Sequence, residues 1–349
     1  MVGEKMKYVI SHALPNKQDA SVKAHTDIDR FLATDGYKVL TFETRSGNNK
    51  LSRQFNRLRS INRLEKIVKP EDTVLVQYPI YSSEFDTDRF YSKVVVQAAH
   101  KIAVVHDLPF LRDSFPPVEN DLKKELVRLN LFDSVIVHNE VMKQKLIGLG
   151  LKACVITLGL FDYYTPTINE QTNIPAISGK VFFAGNLIKS KFVTNLKGMR
   201  SVQYHLWGNI TNKNSLDSSI KYHGTVPSDE LPKYLVDGWG LVWDGDAIDS
   251  VTGLGGKYLR FIDPHKTSLY ISAGIPVIVW KSAGVAKFIE DNNLGLTIDS
   301  LTEIPNRIEK LSLQQYTAIL KSVQKMQQRL VSGAMIKAAV HTAENNWKE

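Results

Sequence analysis

FIDPHKTSLYISAGIPVIVW, residues 261–280, changes its period halfway along. After Pro-His-Lys-Thr-Ser the apolar residues recur at helical spacing; the run breaks at Ala-Gly-Ile-Pro and a β-branched stretch follows. A short core helix handing over to a buried strand is part of a βαβ unit. The same alternation extends to both sides. In the first half, strand candidates cover 7–14, 37–44, 72–80, 101–108, 133–139 and 153–159, with helix-like segments at 19–35, 51–68, 86–99, 118–130 and 139–149. In the second, strands are predicted at 180–186, 202–209, 220–224, 240–245, 276–280 and 295–299, and the chain is helical after 302. Near-continuous apolar strands separated by helices predict parallel sheets covered on both faces. The polar stretch FDYYTPTINEQTNIPAISG reads as a linker. The predicted organisation is therefore a domain over 1–160, a linker over 161–178, a second domain over 179–330 and a terminal helix over 331–349.

At 349 residues, 43% hydrophobic and 23% charged, the chain suits two soluble domains. No apolar run is long enough to span a bilayer, and the start MVGEKMKYVISHAL enters a strand without a signal-peptide core. The only cysteine, Cys154, lies in the apolar run ACVIT, so a disulfide framework is excluded and a buried structural thiol is expected. The expected compartment is the cytoplasm. The net charge of +8 is uneven: residues 50–69 carry seven Lys or Arg against one Glu. Leu51, Phe55, Leu58, Ile61 and Leu64 give that segment helical periodicity. It reads either as a surface helix with its stripe in the core, or as a basic helix facing an anionic membrane or phosphate-bearing acceptor. Nucleic acid is disfavoured, because no binding motif accompanies the charge.

In open parallel sheets, ligands bind beyond the carboxyl ends of the strands. Those ends carry Ser11-His12, Tyr78-Pro79-Ile80-Tyr81, His106-Asp107 and His138-Asn139 in the first half. In the second they carry Gly185-Asn186, Trp207-Gly208, His223-Gly224, Trp243-Asp244-Gly245 and Trp280-Lys281. Phe-Ala-Gly-Asn followed by Leu-Ile-Lys is a strand, a tight turn and a basic start. Gly185 lets a ligand approach the backbone, and Asn186 and Lys189 can donate to phosphate. Lys266 at the start of the next helix opposes the macrodipole by a few tenths of a kcal/mol. A charge-assisted bond to an anion is worth roughly 1.5–3 kcal/mol, so an anion site outweighs a solvated loop. Gly253-Leu-Gly-Gly-Lys257 lacks a Walker or dinucleotide spacing and reads as a flexible loop that orders over a ligand. Asp244-Gly-Asp246 follows a strand like a metal-binding Asp-x-Asp, but Asp27-Ile-Asp29 and Asp86-Thr-Asp88 show how easily that pattern arises.

Together, the Gly185-Asn186 turn, the segment Tyr258 to Trp280, Gln77-Tyr-Pro-Ile-Tyr81, Glu84-Phe-Asp86, His106-Asp107 and Trp243-Asp244 resemble a family. It is that of GT-B glycosyltransferases similar to bacterial β-1,6-galactofuranosyltransferases, related to the glucosyltransferases of serine-rich adhesin glycosylation. The resemblance implies an α/β fold of two Rossmann-like doubly wound parallel-sheet domains facing a central cleft. It implies a UDP-sugar donor in the C-terminal domain, a saccharide acceptor in the N-terminal one, and no metal or other cofactor. The acceptor would be carried on a lipid or a glycoprotein, and homo-oligomerisation is compatible. Gly185, Asn186, Lys189 and Lys266 would then bind diphosphate, with Trp243, Asp244, Tyr258, His265 and Thr267 around the donor. Lys189 stands where the adhesin enzymes place an arginine, which gives up bidentate geometry. The Glu-x7-Glu pattern of retaining relatives is absent, Phe261-Ile-Asp263 standing in that region, so inversion is expected.

Inverting transfer needs a base for the acceptor hydroxyl and positive groups for the departing diphosphate. Asp107 is the first candidate for the base and His106 the second, against a hydrogen-bonded loop pair. Tyr78 and Tyr81 could pack on the acceptor sugar or serve the core. The competing readings are a GT-B nucleotide-sugar epimerase and a non-catalytic carbohydrate-binding partner of another transferase.

Overall fold

The structure, a computed structural model, describes residues 5–12, 20–44, 48–113, 119–166, 168, 176–197 and 201–347. The chain divides into two units, Met1–Leu158 with Met335–Glu349, and Gly159–Ala334. The first unit holds strands β1 (Lys7–His12), β2 (Lys38–Phe42), β3 (Thr73–Tyr78), β4 (His100–Val105), β5 (Ser134–Val137) and β6 (Cys154–Thr157). Its helices are α1 (Ala20–Ala33), α2 (Lys50–Ile67), α3 (Glu84–Phe90), α4 (Pro109–Arg112), α5 (Glu119–Leu129) and α6 (Glu140–Gly148). The second unit holds β7 (Lys180–Ala184), β8 (Gln203–Trp207), β9 (Lys221–Tyr222), β10 (Trp239–Val242), β11 (Val277–Trp280) and β12 (Gly295–Ile298). Its helices are α7 (Gly253–Leu259), α8 (His265–Ser272), α9 (Ala286–Asp291), α10 (Ile304–Glu309) and α11 (Leu313–Val331); α12 (Ala334–Asn345) ends the chain.

Every ladder among the described residues is parallel. Parallel neighbours require crossovers, and the crossover helices cover both faces. That is why β3, TVLVQY, and β5, SVIV, are buried along their whole length. The first sheet runs β2-β1-β3-β4-β5-β6 and the second β12-β11-β10-β7-β8-β9. The strand order therefore reverses between β1 and β3 in one unit, and between β7 and β10 in the other. Ligands of doubly wound folds bind at such reversals.

The terminal helix α12 belongs to the first unit. Glu344 lies 2.6 Å from Lys7 Nζ and accepts from the Tyr37 hydroxyl at 2.7 Å, while Trp347 stacks on His100 at 4.2 Å.

Several expectations need correction. The segment from Phe161 is not a solvated linker: Phe161, Asp162, Tyr163 and Thr165 are buried, and Tyr163 donates from its hydroxyl to the Ser228 carbonyl at 2.7 Å. Aromatic rings within the polar stretch carry it into the second unit's core. Of that proposed linker, 167 and 169–175 lie outside the described residues, as do 13–14, 19 and 118 of other predicted elements. Gly253-Leu-Gly-Gly-Lys is the start of helix α7 and not a loop. Cys154 is exposed, because β6 is an edge strand that is covered only in part. Helix α3 passes into a π-helical turn, Tyr91–Val95, so the single helix predicted over 86–99 is divided. The periodic stripe of α2 is split as well: Ile61 and Leu64 are fully buried, but Leu51 is 83% and Phe55 65% exposed.

Candidate active site

In the second unit the geometry is built around the reversal between β7 and β10. The Ala184 N–H at the end of β7 donates to the Tyr270 hydroxyl at 2.9 Å, which ties α8 to that strand end. Two residues further, at the C-terminal end of α8, Gln327 on α11 donates to the Ser272 carbonyl at 2.9 Å. These anchors put Lys266, on the first turn of α8, with its Nζ 4.3 Å above the Phe183 ring and 3.4 Å from the Trp243 carbonyl oxygen. The residue is half-buried, yet its ammonium is enclosed closely enough that burial pushes its pKa down; the charge of Asp244 works in the opposite direction. No carboxylate among the described residues forms an ion pair with it. A desolvated cation without a counter-ion is costly.

The surroundings of that ammonium suit an anion. Pro264 precedes α8 in an extended conformation, and no side chain caps the helix start. The positive end of the helix dipole is therefore offset by no side chain, although the Thr267 N–H donates to the Pro264 carbonyl at 2.8 Å. The Thr267 hydroxyl on that turn is buried and has no hydrogen-bond partner among the described residues. A Cβ added at Gly185 would stand 3.7 Å from Lys266 Nζ, so glycine keeps that approach open. The turn itself is held from behind. Gly185 N–H donates to the Trp207 carbonyl at 3.1 Å, and a Cβ on Gly208 would fall 1.7 Å from the Gly185 oxygen. Asp244 accepts from the Gly245 N–H at 2.8 Å, and Gly255 on α7 packs close enough that a Cβ there would lie 3.2 Å from its carboxylate.

In the first unit the ends of β1, β3, β4 and β5 bring a second polar cluster together. Gln77 is fully buried and donates through Nε2 to Ser11 Oγ (2.6 Å), Asp29 Oδ1 (2.7 Å) and the His25 carbonyl (3.1 Å). The carboxylate and carbonyl fix the orientation of the amide, since they can only accept. Its Oε1 then lies 2.8 Å from His106 Nε2, which therefore carries the proton. The His106 ring stacks on His25 at 3.7 Å; His12 meets His25 edge-on at 5.0 Å and Tyr81 at 5.5 Å. Burial pushes Asp29 up to about 6, with the Ser11 and Gln77 hydrogen bonds opposing. Burial likewise pushes His138 down to about 4, and its Nε2 lies 3.1 Å from the His106 carbonyl. Asp107 is more open. Its Oδ2 accepts from Arg112 Nη1 at 2.6 Å and from the Tyr81 hydroxyl at 3.3 Å, so the carboxylate is held in place. Beyond the ends of β3 and β4 lies a cavity of about 500 Å³ whose lining includes Tyr81, Glu84, Lys124, Glu125 and Arg128.

The residues singled out in the sequence are thus not equivalent. Gly185, Lys266 and Asp244 meet around one point, with Thr267 and His265 on the same helix turn, His265 ringed by Phe161 (6.2 Å) and Tyr163 (5.1 Å). Trp243 contributes its carbonyl and not its indole, which is buried and donates to the Ala247 carbonyl at 2.9 Å. Tyr258 is buried on α7. Asn186 Oδ1 is spent on the N–H groups of Ile188 (3.1 Å) and Lys189 (3.3 Å), shaping the turn, and Lys189 is exposed. Tyr78 cannot cover an acceptor sugar. Its ring is 1% exposed, because alternation turns it into the core, and its hydroxyl donates to Glu125. Tyr81 does line the cavity. Gln77, His25, Asp29, Arg112 and Phe183 were not foreseen. For Gln77 a signal existed: one amide in the otherwise apolar run TVLVQY.

The comparisons with known proteins agree with this architecture. The chain is 27% identical over 267 residues to Beta-1,6-galactofuranosyltransferase WbbI of Escherichia coli (strain K12), covering 76% of each chain. It is 28% identical over 266 residues to Glucosyltransferase 3 of Streptococcus gordonii, covering 75% of this chain and 76% of the relative. Among solved structures, sucrose-phosphate synthase from Thermosynechococcus elongatus aligns with a TM-score of 0.63 at 14% identity, over 99% of both chains. Anabaena HepE, solved in complex with UDP-glucose, aligns with a TM-score of 0.58 at 13% identity, over 97% of this chain and 100% of that one. At such identities these structures speak for the GT-B fold alone. The models of the Glucosyltransferase 3-like N-terminal and C-terminal domains match residues 7–160 and 181–343, and the chain belongs to that family of glycosyltransferases.

Proposed function

We propose that the protein transfers a hexosyl unit, galactofuranose or glucose/galactose, from a UDP-sugar to a saccharide acceptor, with inversion and without a metal. The observation that carries this reading is Lys266: an enclosed ammonium with no ion pair among the described residues, at a helix start that no side chain caps, beside a glycine that leaves it open to a ligand. A nucleoside diphosphate supplies the missing negative charge. As the glycosidic bond to the donor breaks, charge builds on the leaving diphosphate, and Lys266 together with the positive end of the α8 dipole stabilises it. These groups do the work for which other transferases use a divalent cation.

The first unit receives the acceptor. Its cavity offers carboxylates and cations at several heights, which suits a ligand rich in hydroxyl groups. Asp107, fixed by Arg112 and Tyr81, takes the proton from the attacking hydroxyl, and His106 is the second candidate. The names of WbbI and HepE's bound UDP-glucose support the sugar and nucleotide classes proposed here.

The test is product release. The protein is incubated with UDP-galactofuranose, UDP-glucose or UDP-galactose, with GDP- and CMP-sugars as controls, with and without saccharide acceptors. UDP should appear in step with a glycosylated acceptor, and chelation of divalent ions should leave the rate unchanged. Isomerised sugar without acceptor, or turnover confined to another nucleotide, would overturn the proposal.

A further inference from the structure

Helix α2 does not use its apolar stripe as its periodicity predicts. Only Ser60, Ile61 and Leu64 are buried, all in its C-terminal half. The helix is gripped in the middle, where Arg57 Nε lies 2.6 Å from Asp86 and Gln54 donates to the same carboxylate at 2.8 Å. Ahead of Arg57, Leu51 and Phe55 stand one turn apart on one face and project into solvent. They are held there in helical form by a capping box: Asn49 Oδ1 accepts from Ser52 N–H at 2.8 Å, and Asn49 N–H donates to Ser52 Oγ at 3.1 Å. Exposing a leucine and a phenylalanine on an ordered helix is unfavourable unless something covers them.

The charge around them says what. Lys50, Arg53, Arg59, Arg63 and Lys66 are all exposed on this helix, and its one acid, Glu65, faces Lys93 at 3.3 Å. The surface is of one sign, with two bulky apolar side chains at its tip. A second copy of this chain would bring cations against cations. An anionic lipid surface instead accepts the bases at its headgroups and the two apolar side chains just below them. Among the described residues no helix is long and apolar enough to cross a membrane, so this contact would be peripheral.

We infer that the exposed face of α2 docks the protein on an anionic bilayer, Leu51 and Phe55 inserting at the headgroup boundary while Lys50, Arg59 and Lys66 pair with lipid phosphate. The inference is independent of the nucleotide site, because it concerns another element and another ligand. It is tested by flotation of the full chain with phosphatidylcholine vesicles with and without phosphatidylglycerol, at low and high salt. Wild type should float with the anionic vesicles only, and less at high salt. L51S/F55S should weaken that binding about tenfold or more, and the charge reversal K50E/R59E should abolish it. Both pairs are solvent-exposed, so unchanged thermal unfolding checks that the fold is kept. Failure to float with either vesicle at low salt would overturn the proposal, and so would equal binding to neutral and anionic vesicles. So would an L51S/F55S protein that binds like wild type.

Discussion

Replacing Lys266 with methionine separates a ligand-binding lysine from a structural one, because the two make opposite demands on stability. Methionine keeps the length and apolar stem of the side chain and removes the charge. In the unliganded protein the ammonium faces one carbonyl at 3.4 Å and one aromatic ring, with Asp244 acting on it through its charge. Burial depresses its pKa, so between the folded value and the ordinary 10.5 the unfolded chain holds the proton more firmly. Stability from this group is therefore present at high pH and lost as pH falls through the folded pKa. At neutral pH the charged lysine is a burden, and Lys266→Met should leave the unliganded protein unchanged or more stable, by up to about 2 kcal/mol.

UDP binding should respond the other way. One charge-assisted hydrogen bond is worth about 1.5–3 kcal/mol, which is roughly a 10- to 150-fold rise in Kd. Calorimetric titration of UDP into both proteins gives the second number, and urea unfolding without ligand gives the first. Saturating UDP should raise the wild-type midpoint well above that of the variant, although the unliganded order is the reverse. A variant that binds UDP like wild type, or that is destabilised by several kcal/mol without ligand, would show that Lys266 is a packing residue. The diphosphate assignment would fail with it.

Asp107→Asn should lower turnover about 10²- to 10⁴-fold while leaving the Kd for UDP unchanged, since the base acts on the acceptor; retained turnover would exclude it as the base. A pH prediction follows from two desolvated groups of opposite sign. His138, depressed to about 4, contributes stability above 6.5 that is lost as pH falls toward 4, whereas Asp29, raised to about 6, contributes stability at low pH that is lost as pH rises through 6. The two offset each other between pH 7 and 5, so Asp29→Asn should lose about 1–2 kcal/mol more than wild type over that range. Equal losses in urea unfolding at the two pH values would refute the pairing.

Much of the architecture was readable from period alone. The strands of the described residues fall on the predicted segments, and the central ones, such as β3 and β5, are the plainest, because a strand buried on both faces cannot hide among polar residues. Periodicity is weaker on how far a core reaches. It groups Leu51, Phe55, Ile61 and Leu64 at helical spacing, but the three-residue steps from Phe55 to Leu64 turn halfway round the helix, so only Ile61 and Leu64 face the core. Cys154 shows another limit, since an apolar edge strand and an apolar central strand read alike. Tyr78 shows a different limit: a strand end gives a residue's position along the sheet, and only the three-dimensional register tells which side faces inward.

The site residues were legible as strand ends and illegible as a constellation. Gly185 and Trp243 meet because β7 pairs with β10, and Ser11 meets Gln77 because β1 pairs with β3; neither pairing follows from chain order. What marks both places is a break in the rules that hold elsewhere. Gln77 sits fully buried in an apolar strand, Asp29 is a half-buried carboxyl held by Ser11 and Gln77, and Lys266 is an enclosed ammonium without an ion pair among the described residues. An apolar core would be more stable at each of these positions. In the first unit the cost is partly met by hydrogen bonds that the chain makes to itself, so that cluster can be read as a rigid support for His106 and its neighbour Asp107. At Lys266 the chain offers only a carbonyl, a ring and the nearby charge of Asp244. The larger part of the compensation is missing there, and a bound diphosphate is the species whose charge would supply it.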